Sequence, residues 1–232
     1  MPERPASSPE PHLHHIRVER TARYYTLGGR DDVPTTTWWF VLHGYSQLAG
    51  QFIRFFSDLA ADDSRVVAPE ALNRYYIVNP EVAPVRERPV GATWMTREDR
   101  ESEVADYVEY LDAVFDEVTG GGLADGNHVN VIGFSQGAAT ASRWISHGRV
   151  PATRLILWGG LVPPDADLSR GPYALRGVPV TFVLGSRDHY VSDAMFEEDV
   201  ARLSRIGITP SVIRFDGGHA VSRAALRELT GA

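Results

Sequence analysis

Short apolar runs recur along this chain, and most are followed by a stretch whose apolar side chains return every three or four residues. Residues 37–42 (Thr-Trp-Trp-Phe-Val-Leu) read as a buried strand, and residues 49–61 place Phe52, Phe55, Phe56 and Leu59 at helical spacing behind it. Further strands are expected around Val66 and Tyr76, and at 129–133, 155–158, 180–184 and 211–215. Residues 98–118 are the clearest helix, because Val104, Tyr107, Val108, Leu111, Val114, Phe115 and Val118 form one stripe and Gly120-Gly121 ends it. Other helices are expected at 138–147, 195–206 and 221–229, and residues 15–27 read as one or two antiparallel strands. Strands joined by crossover-length helices demand a parallel sheet covered on both faces, with right-handed connections. The expected fold is therefore α/β, with a mostly parallel central sheet, in one domain spanning residues 12–232.

Composition narrows the chemistry. The chain of 232 residues contains no cysteine, which excludes disulfides, thiolate nucleophiles and thiolate metal sites. Its net charge of −7 argues against a nucleic-acid partner, since such binding rests on phosphate neutralisation. No apolar run approaches the roughly 18–20 residues needed to span a bilayer, so no integral membrane association is expected. The opening MPERPASSPEPH has neither the basic start nor the apolar stretch of a secretory signal, and a cytoplasmic protein is expected. With four prolines, residues 1–11 read as a disordered leader. His12, His14 and His15 have no acidic or cysteine partner at a ligand spacing and read as surface residues, so no metal is expected.

Gly133-Phe134-Ser135-Gln136-Gly137 is a G-x-S-x-G pentapeptide between a buried strand and an Ala-rich helix. Such a sharp turn lifts one side chain above the carboxyl edge of a sheet, and the flanking glycines remove side chains that would collide there. A serine needs a base, and the base an orienting carboxylate. Asp188 follows the strand at 180–184 and His219 follows the strand at 211–215, so both belong to the same sheet edge as Ser135. His189 is a rival base, and Asp193 and Asp216 are rival acids; position just beyond a strand favours His219 and Asp188. An oxyanion needs two donors, and the N–H groups of Gln136 and Tyr45 are the candidates. His43 and Gly44 support the loop carrying Tyr45, with His43 as a direct acid–base residue the weaker alternative.

With these motifs in place, the chain resembles the phospholipase/carboxylesterase (acyl-protein-thioesterase-like) family of the α/β-hydrolase superfamily over almost its whole length after the leader. His43-Gly44 is similar to that family's oxyanion loop, Gly133–Gly137 to its nucleophile motif, Gly185-Ser186-Arg187-Asp188 to its acid segment and Gly218-His219 to its base segment. The family's oxyanion loop usually continues leucine–glycine–aspartate, where this chain has Tyr45-Ser46-Gln47. Its tryptophan–phenylalanine–aspartate run is here Trp94-Met95-Thr96.

The resulting expectation is a serine carboxylesterase acting on small to medium acyl or aryl esters through an acyl-enzyme, without cofactor, as a monomer or homodimer. A lysophospholipase, thioesterase or acyltransferase on the same triad is the alternative, and a non-catalytic binding protein of this fold the distant one. Gln47, Leu48, Trp94, Met95, Leu161 and Val162 are the expected substrate contacts. The connection from Pro80 to Arg97 is long enough to read as a functional loop, with Glu81, Arg86, Glu87, Arg88 and Arg97 able to meet a polar substrate portion.

Overall fold

The computed structural model describes residues 11–77, 84–166 and 177–231. Its strands are β1 (Tyr24–Gly28), β2 (Thr37–Leu42), β3 (Ser64–Pro69), β4 (Asn73–Tyr76), β5 (Val90–Thr93), β6 (His128–Phe134), β7 (Arg154–Trp158), β8 (Val180–Gly185) and β9 (Ser211–Phe215). The helices are α1 (Ala49–Phe52), α2 (Arg100–Thr119), α3 (Gln136–His147), α4 (Asp193–Arg205) and α5 (Arg223–Thr230). Seven strands form the main sheet in the order β1-β3-β2-β6-β7-β8-β9, with β1 antiparallel to β3 and every other pair parallel. This is the fold expected of an α/β-hydrolase.

Alternation along the strands builds two cores. Trp38, Phe40 and Leu42 of β2, Val131 of β6 and Leu157 of β7 join one core with α2 and α3. Trp39 and Val41, Ile132 and Phe134, and Ile156 and Trp158 join the other with α1 and α5. The chain leaves β2 toward β3 on one side, then returns through β6 on the other side of β2 and continues outward. The β2–β6 junction is therefore the point where strand order reverses. The connections after the two strands go to opposite faces and leave a crevice between them.

Three sequence expectations need correction. Of residues 15–27, only 24–27 are strand, as part of β1, because the free edge of β3 gives one place to pair. Residues 11–23 lie without regular structure, held by side chains: His15 Nε2 is 2.9 Å from the Asp99 carboxylate, Arg17 2.6 Å from Glu109 and Arg23 2.6 Å from Glu70. The segment 49–61 is a single α turn followed by a 3₁₀ stretch, Ile53–Leu59, broken at Phe56 (φ −111°, ψ 16°). Phe52, Phe56 and Leu59 still reach the core from it, while Phe55 stays exposed. The Pro80–Arg97 connection also contains β5, which pairs antiparallel with β4 (Asn73 opposite Thr93, Tyr76 opposite Val90). The leader through residue 10, and Glu81, lie outside the described residues. Among the described residues no helix is long and apolar enough to cross a membrane.

Candidate active site

Ser135 occupies the turn between β6 and α3 with φ 54° and ψ −117°, a conformation that a side-chain-bearing residue adopts only when its surroundings impose it. Packing around the turn supplies the constraint. A Cβ on Gly133 would lie 2.2 Å from the Gly137 carbonyl oxygen, and one on Gly137 would lie 2.2 Å from that of Leu42. The pentapeptide's glycines thus let helix, turn and neighbouring strand meet backbone to backbone.

Asp188 and His219 come to this edge from β8 and β9. His219 Nδ1 is 2.8 Å from Asp188 Oδ2, with the carboxylate side chain 2% exposed and the imidazole 19%. The other carboxylate oxygen accepts the Tyr190 N–H at 2.8 Å, so the acid is held from two sides. A Cβ built on Gly159, just after β7, would stand 3.2 Å from the His219 ring and 3.3 Å from Asp188. One built on the next residue, Gly160, would stand 2.8 Å from the Ser135 carbonyl oxygen. The same two-residue turn therefore touches all three side-chain-bearing positions. The rivals are engaged elsewhere: Asp193 pairs with Arg214 at 2.9 Å, Asp216 pairs with Arg187, and His189 is exposed.

Gly44 lies against Ser135, since its Cβ position is 3.2 Å from Ser135 Cβ. The Gly44 carbonyl accepts from His43 Nδ1–H at 2.8 Å and from Gln47 N–H at 3.2 Å. In a trans peptide the N–H points opposite to the C=O, so the Tyr45 N–H is directed away from the His43 ring. Neither it nor the Gln136 N–H, the first of α3, has a hydrogen-bond partner among the described residues. Two unspent donors beside a strained serine are what a developing oxyanion requires.

β5 and the two residues after it bond to the segments that carry both donors. On one side Ser46 N–H donates to Ala92 O at 3.0 Å, Ala92 N–H to Gln47 O at 3.2 Å and Trp94 Nε1–H to His43 O at 2.8 Å. On the other, Trp94 N–H donates to Gln136 Oε1 at 3.1 Å and Gln136 Nε2 to Met95 O at 2.9 Å. Gln136→Glu keeps its backbone N–H but turns the donor facing Met95 O into an acceptor. We expect kcat to fall by about 10- to 100-fold with KM changing less than about twofold, because oxyanion contacts act in the transition state. An unchanged kcat would show that these bonds do not place the donors.

His43 is fully buried, and its Nε2 accepts the Ala71 N–H at 3.0 Å, so both ring nitrogens are committed in the neutral form. Burial pushes its pKa below the ordinary value of 6.5, against the opposing pull of the Gly44 carbonyl and the Glu70 charge. The unfolded chain therefore binds this proton at higher pH than the folded one does. The resulting stability is full above about pH 6.5 and is lost as pH falls from there toward the folded pKa. Thermal melting between about pH 7.5 and pH 5 should show Tm falling with pH, and His43→Gln should show a shallower fall. Identical slopes would remove His43 from this role.

The expected substrate contacts divide. Trp94 is 1% exposed and Val162 3%, so both are core: the Trp94 ring packs 5.1 Å from His43 and the Val162 N–H is held by Asp199 Oδ2 at 2.8 Å. Gln47 spends its side-chain oxygen on the Gly44 N–H at 2.7 Å, which braces the loop. Leu48, Met95 and Leu161 are half-buried and keep some surface to offer. Leu161 also lines a cleft of about 530 Å³ with Pro163, Pro164, Met195 and Arg202.

Two residues escaped the sequence reading. Glu70, wholly buried at the end of β3, accepts from Arg23, Arg74 and the Ala49 N–H, and its neighbour Ala71 holds His43. Nothing in its local sequence marks it. Tyr190 is 73% exposed with its ring centre 4.5 Å from that of His219; its place two residues after the candidate acid was the available signal. Among the described residues no three His, Asp or Glu side chains are grouped to hold a metal ion.

A family model described as Serine hydrolase (FSH1) matches residues 36–227, which include every candidate above. No curated protein matches the chain significantly. Among solved structures it is similar to the esterase PE8, with 22% identity over 90% of this chain and 96% of that one and a TM-score of 0.60. It is similar as well to Zea mays acyl-protein thioesterase 2 (15% identity, 91% and 97% covered, TM-score 0.66) and to the Bacillus cereus carboxylesterase (18%, 90% and 92%, TM-score 0.63). At these identities the likeness is one of fold.

Proposed function

We propose that this chain, which belongs to the serine hydrolase (FSH1) family, is a carboxylesterase that hydrolyses small to medium acyl or aryl esters through Ser135, His219 and Asp188. The observation that carries the proposal is the 2.8 Å His219–Asp188 contact at the sheet edge where Ser135 sits in its strained turn. With Nδ1–H donated to Asp188, Nε2 is left as the basic nitrogen.

In the proposed cycle His219 Nε2 takes the Ser135 proton as Oγ attacks the ester carbonyl. The carbonyl electron pair moves onto oxygen, which the Tyr45 and Gln136 N–H groups receive. Collapse of this intermediate breaks the bond to the alkoxy oxygen, which leaves as alcohol with the proton from His219. Water then attacks the acyl-enzyme by the same route, releasing the acid and restoring Ser135. Asp188 holds the imidazole tautomer and stabilises the imidazolium without itself taking the proton. Such a cycle needs no metal or organic cofactor. The proposal places residues 12–232 in one catalytic domain, active in the cytoplasm as a monomer or homodimer.

The test is hydrolysis of p-nitrophenyl esters from short to long acyl chains, together with labelling by a fluorophosphonate and mapping of the modified peptide. Turnover of the shorter esters and a label on Ser135 are expected. No turnover of any ester, or a label on another residue, would overturn the proposal.

A further inference from the structure

Resting on the serine-esterase reading, we propose that Tyr190 selects the leaving group, and that the ester taken is one whose alcohol portion is a flat aromatic ring. The Tyr190 ring centre lies 4.5 Å from that of His219, with an angle of 47° between the planes. Phe134 packs against the same imidazole at 4.9 Å, but that ring is buried and part of the core. Tyr190 has most of its surface in water, and no residue among those described takes a hydrogen bond from its hydroxyl.

Its backbone is anchored. The Tyr190 N–H donates to Asp188 Oδ1 at 2.8 Å, and the Val191 N–H approaches the same oxygen at 3.4 Å. The residue is therefore anchored by its backbone to the acid next to the base, and its ring packs against that base.

The chemistry assigns the neighbouring space. His219 Nε2 must come within hydrogen-bond reach of the departing alkoxy oxygen to protonate it. Whatever that oxygen is attached to then lies beside the imidazole against which Tyr190 packs, 4.5 Å between ring centres, and on this proposal the two meet there. The acyl portion is set by the carbonyl carbon at Ser135 and its oxygen at Tyr45 and Gln136. An exposed tyrosine with no core to fill offers its face or edge to a planar group, and aromatic pairs gain beyond the area they bury. It offers less to a short alkyl group, which has little area to cover.

The experiment compares three acetates that share one acyl-enzyme and differ only in alcohol: phenyl, cyclohexyl and ethyl. Leaving-group departure belongs to acylation, which kcat/KM reports, and intrinsic reactivity cancels when each ratio is compared between variants. In Tyr190→Ala the phenyl-to-ethyl ratio of kcat/KM should fall by about tenfold. The cyclohexyl-to-ethyl ratio should fall by less than about threefold, and Tyr190→Phe should retain most of the phenyl preference. An equal loss on all three esters would mean that Tyr190 merely supports Asp188 and His219, and would overturn the assignment. So would unchanged ratios, or an effect that follows acyl length in phenyl acetate, butyrate and octanoate. If the native protein turns over esters and Ser135→Ala does not, these outcomes bear on Tyr190 alone. If the native protein turns over none, the esterase reading fails and this inference with it.

Discussion

Ser135→Ala and His219→Ala should each lower kcat on a p-nitrophenyl ester by about 10⁴- to 10⁶-fold, and the double variant should lower it little further. The losses do not add because each residue is useless without the other: an unactivated hydroxyl attacks poorly, and a base with no hydroxyl to deprotonate does nothing. Asp188→Asn should cost about 10⁴-fold, since an amide can present its N–H to His219 Nδ1 and favour the wrong tautomer. Melting curves separate chemistry from folding, because the 2.8 Å His219–Asp188 contact bridges loops after β8 and β9 and its loss could loosen them. A Ser135→Ala variant that keeps more than about a tenth of the native kcat at native Tm would remove Ser135 from the mechanism.

Gly137→Ala is expected to have the largest effect on folding. Its new Cβ would sit 2.2 Å from the Leu42 carbonyl oxygen and 2.7 Å from that of His43, both backbone atoms that cannot rotate away. Relief requires α3 to move off β2, which would carry Gln136 away from the loop holding Tyr45. We expect a loss of more than about 4 kcal/mol, or roughly 8–16 °C in Tm for a chain of this size. Gly122→Ala is the control: it is exposed, and its added Cβ would meet nothing within 4 Å. It should change stability by less than about 0.5 kcal/mol. Equal melting temperatures for the two variants would mean that the helix does not approach β2 as closely as described.

Much of the fold was legible because burial imposes a period. β2 and β9 have the limits expected from their apolar runs, and α2 starts and stops within two residues of the expected 98–118. The failures have a common cause, which is that partners decide. Residues 15–23 alternate like a strand but have no edge to pair with, and β5 was hidden because its partner β4 is short and half-exposed. Residues 49–61 carry a helical stripe made mostly of phenylalanine, a residue of modest helix propensity, and tight packing of Phe52 and Phe56 accompanies the break into a 3₁₀ stretch. For the candidate site, motif spacing sufficed to nominate Ser135, Asp188, His219, Tyr45 and Gln136, because each follows a strand end. It could not tell Trp94 in the core from Tyr190 at the surface, since both are aromatics on connections and only packing separates them.

By itself the sequence determined which residues could carry chemistry. The absence of cysteine left serine as the strongest candidate nucleophile, and the order of apolar runs required a parallel sheet with one reactive edge. Only the tertiary structure decided how the pieces meet. Strand order reverses at the β2–β6 junction, so the loop carrying Tyr45 and the helix that follows Ser135 leave toward opposite faces and open a crevice between them. The residues that follow the hairpin strand β5, Trp94 and Met95, then bond to His43 on one side of that crevice and to Gln136 on the other. Such hydrogen bonds join segments more than forty residues apart, and no local pattern encodes them.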